Sequence, residues 1–119
     1  MAHDAELMKA IGTHGQWKMK LRTAIGTGKL DSPIEVIRSD NACEFGKWMG
    51  AFKATDASDA EVVPRIRKLH AEFHTVAGRI AELAAQGKQK EAEDALSDGG
   101  SFAKASALLT DAIMEWKRR

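Results

Sequence analysis

Between Ile66 and Leu83 the large apolar residues Ile66, Leu69, Phe73, Val76, Ile80 and Leu83 fall alternately three and four positions apart. At 3.6 residues per turn this spacing gathers them on one face of a helix, which must be covered by other helices. The same rhythm recurs in Leu7, Ile11, His14, Lys18, Leu21 and Ile25, and again more loosely in Phe102, Ala105, Leu109, Ala112 or Ile113, and Trp116. No run alternates apolar and polar residues long enough for a strand. Ala is abundant, Tyr is absent and Pro occurs twice, a composition that loses little on entering helices. The chain is therefore expected to be all-α, an antiparallel four-helix bundle with a short additional helix. At 119 residues it makes one domain over 1–119.

Local signals place the ends. The first helix is expected from Asp4 to about Ile25, stopped by Gly26 and Gly28. Residues 26–41 form a connection, with a helical turn at Pro33–Ile37. A short helix over 42–53 has a capping-box spacing in Asn41 and Glu44, so that Cys43 falls in its first turn. The third helix starts at Ser58, with Glu61 as its capping partner, and Pro64 kinks or restarts it. Gly87 ends it, and a final helical stretch over 88–117 is interrupted at Asp98-Gly99-Gly100-Ser101.

Charge excludes some functions. Eighteen Lys+Arg against seventeen Asp+Glu leave +1, with no excess to draw a polyanion. The clusters Arg65-Arg67-Lys68 and Lys117-Arg118-Arg119 lack an aromatic platform and read as solvated surface. The longest stretch free of charged side chains, Ala10 to Trp17, is too short to insert in a membrane. The first residues are acidic where a secretory signal would be basic, and the single Cys43 cannot form an internal disulfide. A cytoplasmic setting is the expectation.

Four residues carry the chemistry. His70 and His74 lie four apart on a helix, so both rings project from one face and can meet one ion. His14 interrupts an apolar seam, where a polar ring needs a partner: a metal, or else a backbone carbonyl or water. Cys43 is either a small buried hydrophobe or, at a helix N-terminus, a stabilised thiolate. Three imidazoles and a thiolate would make a closed tetrahedral set suited to Zn²⁺. Trp17 and Trp48 are either wall or core, and Gly46, one turn after Cys43, permits a close backbone approach. Glu44, Asp40 and Glu72 are candidate acceptors for a ligand imidazole, with a solvated helix face as the alternative. Met8, Met19, Met49 and Met114 read as core filler.

The segment Cys43-Glu44-Phe45-Gly46-Lys47-Trp48 resembles the Cys-x-(Phe/Leu)-Gly-x-Trp signature of the chemoreceptor zinc-binding (CZB) domain. His14-x-x-Trp17 upstream and His70-x-x-Phe73-His74 downstream stand in that family's order and at similar separations. The resemblance implies a helical bundle, often a homodimer, that binds zinc through His14, Cys43, His70 and His74. It further implies a regulatory module, not an enzyme, attached to or associated with the output domain of a chemoreceptor or diguanylate cyclase. Its expected input is an oxidant such as hypochlorous acid, acting on Cys43 as a redox switch, or zinc availability. The alternatives are a structural, zinc-stabilised dimerisation module and a zinc hydrolase. Against the hydrolase, Cys43 closes the position that water would need, and Glu72 is at the wrong offset for a His-Glu-x-x-His arrangement.

Overall fold

The computed structural model describes residues 4–54 and 56–119. His3, the one histidine outside the proposed set, and its expected frayed terminus lie outside the described residues. Among the described residues seven helices follow in order: α1 Asp4–Gly15, α2 Trp17–Thr27, α3 Ile34–Arg38, α4 Glu44–Ala51, α5 Ala57–Ala85, α6 Gln89–Leu96 and α7 Ser101–Arg118. The described residues contain no strand, and the helices pack into an all-α bundle.

α1 and α2 replace the single first helix expected from the apolar seam. They meet at Gln16, whose backbone stays helical (φ −68°, ψ −19°). Bonds from Gln16 N–H to Gly12 and from Lys20 N–H to Gln16 carry the chain across. Gly12 and Gly15, both weak helix formers, bracket the turn that loosens. α2 ends at Gly28, in the left-handed conformation (φ 72°) that spares a glycine the Cβ penalty.

α5 is the spine. It runs unbroken through Pro64 and buries Ile66, His70, Phe73, Ala77, Ile80 and Ala84. This line is turned slightly from the stripe of large apolar residues, because Leu69, Val76 and Leu83 are only partly covered while the small alanines admit neighbouring helices. α2, α3, α6 and α7 all pack on α5, with α1 beside α7 and α2 beside α6. The α1–α2 column is therefore antiparallel to α6–α7.

Two caps differ from expectation. α5 begins at Asp56, whose carboxylate accepts the Asp59 N–H (2.8 Å), and Ser58 Oγ instead accepts from Arg119. α4 begins at Cys43, in extended conformation, with its sulfur accepting the Gly46 N–H; Asn41 does not cap it. In each case a side chain one or two residues away sits closer to the open N–H groups. Among the methionines, Met49 is buried but Met8 and Met19 are exposed, so those two are not core filler.

Candidate metal centre

Each donor is set by a different local device. His14 lies in the last turn of α1 on its buried face, two residues before the loosened turn at Gln16. His70 and His74 occupy successive turns of α5, both buried. Cys43 reaches the same point because it stands ahead of α4, where an extended backbone points its side chain back over the first turn.

Two glycines make these approaches sterically feasible. A Cβ at Gly46 would run into the Asp40 carbonyl, so the chain can fold back over the start of α4 only with glycine there. A Cβ at Gly78 would lie 2.9 Å from Arg38 Cβ and 3.1 Å from its Cα, so glycine lets α3 lie close on α5. That contact brings the Ile37 carbonyl to His74 Nδ1 at 2.9 Å.

The four side chains converge with their ligand atoms all within 4.8 Å of one another. Cys43 Sγ lies 3.9 Å from His14 Nε2, 3.4 Å from His70 Nε2 and 3.6 Å from His74 Nε2. His14 and His70 Nε2 are 3.1 Å apart. Zinc–nitrogen and zinc–sulfur bonds of about 2.05 and 2.3 Å at tetrahedral angles require N···S edges of about 3.6 Å and N···N edges of about 3.3 Å. The S···N separations bracket the first value and the His14–His70 separation lies close below the second, so the residues fit a single zinc ion.

Hydrogen bonds fix the tautomers. His14 Nδ1 is 2.7 Å from the Ala10 carbonyl, and His74 Nδ1 bonds the Ile37 carbonyl. A carbonyl only accepts, so both Nδ1 atoms carry the proton and both Nε2 lone pairs face Cys43. The acceptors are therefore backbone groups, not the candidate carboxylates. Glu44 instead pairs with Lys9 (2.6 Å), and Glu72 is exposed. The Asp40 carbonyl stands 4.0 Å from Cys43 Sγ.

Burial keeps the imidazoles neutral. It lowers His14 to about 4 and, with the neighbouring rings His74 and His14, His70 to about 3; His74 is lowered for the same first reason. Their lone pairs are thus available at neutral pH. Burial also pushes the Cys43 thiol up, outweighing the Gly46 N–H that favours the thiolate. Burial outweighs the helix N-terminus at this thiol; a bound dication would supply the charge that favours the thiolate, and its binding would release the thiol proton.

Phe45 and Phe73 wall the site, both edge-on to His14 (5.8 and 5.1 Å), with Phe45 also against His70 and Phe73 against His74. Trp17 reaches His74 at 6.5 Å, whereas Trp48 stands one layer back, stacked on Phe45 and touching Trp116. Sequence reasoning missed Phe73 as a wall, Gly78 and the Ile37 carbonyl; for His14 it offered a backbone carbonyl as the alternative to a metal, and the structure supplies that carbonyl from Ala10.

The family model for the chemoreceptor zinc-binding domain matches residues 14–81, more than half of the chain and all four donors. The chain belongs to the CZB family. No curated protein and no solved structure matches it. The donor set and the family agree on Zn²⁺ as the ion that this CZB bundle binds through His14, Cys43, His70 and His74. No helix among the described residues is long and apolar enough to cross a membrane.

Proposed function

We propose that this CZB bundle is a cytoplasmic sensory module whose zinc site reports oxidant or zinc status to an output domain of the chemoreceptor or diguanylate cyclase type. One observation carries the reading: Cys43 is at once a metal donor and the cap of α4. A closed set of four protein donors favours regulation over catalysis, because no position remains for water. Bound zinc would clamp α1, α4 and α5 to one point and hold Cys43 as a thiolate.

Hypochlorous acid removes two electrons from that sulfur: thiolate plus HOCl gives Cys43 sulfenic acid plus chloride. The sulfenic acid is a poor metal donor. α4, only eight residues long, then keeps its place through Phe45, Met49, its aromatic contacts, the exposed Lys9–Glu44 pair and the Arg67 bond to the Met49 carbonyl. Loss of zinc frees the same cap by the other route.

A second copy of the chain is part of the proposal. Met8 and Met19, 52 % and 74 % exposed, lie three helical turns apart on one flank of α1–α2. Gly12 and Gly15 between them have nothing within 4 Å of a built Cβ, which leaves room for a partner helix.

The test is Cys43→Ala, read by hydrogen exchange across α4 before and after hypochlorous acid. The variant is expected to fold, bind zinc more weakly and lose the oxidant response. An unchanged response would remove Cys43 from the mechanism. Complete unfolding on chelation, with no graded change in α4, would favour the purely structural zinc module.

A further inference from the structure

His70 differs from the other two imidazoles. Among the described residues its Nδ1 has no protein hydrogen-bond partner, although the residue is 98 % buried (2 % exposed). Its Nε2 faces Cys43 and His14, so the Nδ1 edge points away from the donors. That edge borders a half-open cavity of about 190 Å³ lined by Asp40, Asn41, Gly46, Met49, Gly50, Arg67 and His70. A single water needs only about 10–15 Å³, so the space admits a larger guest.

Arg67 stands one turn before His70 on α5 and donates one guanidinium bond, to the Met49 carbonyl (2.8 Å). Its remaining N–H groups have no partner among the described residues, and a guanidinium fork matches the two oxygens of a carboxylate. Charge points the same way. Zn²⁺ with one thiolate would carry +1 and Arg67 adds +1, against −1 for Asp40 on the same wall, so the zinc-loaded cavity would be net positive.

We propose that this cavity binds a small carboxylate, held between the Arg67 guanidinium and the His70 Nδ1–H, and that its binding tightens the zinc site. The proposal rests on the zinc reading above. An anionic acceptor on Nδ1–H fixes the ring and raises the basicity of Nε2, as carbonyls do for His14 and His74. Linkage makes the effect reciprocal: the carboxylate strengthens zinc binding by the factor by which zinc strengthens carboxylate binding.

The experiment is a chelator-competition titration of zinc in sodium formate and in sodium chloride at equal ionic strength. It compares the full wild-type chain with Arg67→Gln and Arg67→Lys, each checked for helicity and melting. In the wild type, formate is expected to raise zinc affinity about fivefold, with the gain lost in Arg67→Gln and reduced in Arg67→Lys. ¹³C-formate line broadening by the wild-type protein should require zinc and should disappear in Arg67→Gln. Zinc binding that ignores formate, as a cavity holding only water would give, overturns the proposal while leaving the zinc site intact. Equal formate dependence in Arg67→Gln overturns it as well. Absence of zinc binding in every buffer overturns the zinc reading itself, and this inference with it.

Discussion

Replacing Gly46 with alanine tests how the fold presents Cys43. The added Cβ would meet the Asp40 carbonyl oxygen, and would lie 2.7 Å from its carbon and 2.9 Å from Asn41 Cα. All are backbone atoms, so no side chain can rotate away, and the 40–41 segment must move. Helix propensity favours alanine by about 1 kcal/mol, whereas forced overpacking costs about 1–3 kcal/mol. A net destabilisation of about 0–2 kcal/mol is expected. The displaced segment leads straight into Cys43, and its Asp40 carbonyl faces the sulfur at 4.0 Å. Zinc affinity should therefore fall about 10–100-fold, the range for disturbed ligand support. Gly50→Ala is the control: it lies in the same helix and meets nothing within 4 Å. It should be neutral or stabilise by up to about 1 kcal/mol and, in carboxylate-free buffer, leave zinc affinity unchanged. Urea denaturation and chelator competition on both variants provide the readouts. If Gly46→Ala matches Gly50→Ala in both, the steric argument is wrong.

Two further outcomes follow from buried polar groups. Trp116 Nε1–H donates to Asp59 Oδ1 at 2.8 Å, with both residues buried; Trp116→Phe should cost about 1–3 kcal/mol in urea denaturation. Its zinc stoichiometry should be unchanged, because Trp48 and Phe45 stand between Trp116 and the donors; an unaltered urea midpoint would refute the assigned role. In the metal-free protein, His14 at about 4 and His70 at about 3 lie below their ordinary 6.5. The unfolded chain therefore takes up protons that the folded chain refuses, so stability is full above pH 6.5 and falls as pH drops toward 4 and 3. A urea midpoint at pH 5 equal to or above that at pH 7.5 would contradict this.

His70 and His74 were legible in the sequence because a four-residue spacing on a helix survives any tertiary arrangement. His14 was legible because a polar ring breaks an apolar seam, and Gly46 because it stands one turn from Cys43. What stayed hidden depends on contacts between distant segments. The Ile37 carbonyl reaches His74 only through the close crossing at Gly78, and a helical glycine among alanines gives no local sign of that crossing. The start of α5 at Asp56 was missed because Ser58 and Glu61 satisfy the same spacing rule; local competition for N–H groups decides between them. The balance at Cys43 between buried thiol and helix-end thiolate was hidden for a related reason, since burial, which pushes the thiol up, is set by tertiary packing.

X-ray absorption at the zinc edge of the purified native protein probes the proposed coordination most directly. The expected spectrum fits one sulfur at about 2.3 Å and three nitrogens at about 2.0 Å, with the sulfur shell lost in Cys43→Ala. A spectrum with no sulfur, with more than one sulfur, or unaltered by that substitution would contradict a centre built from His14, Cys43, His70 and His74.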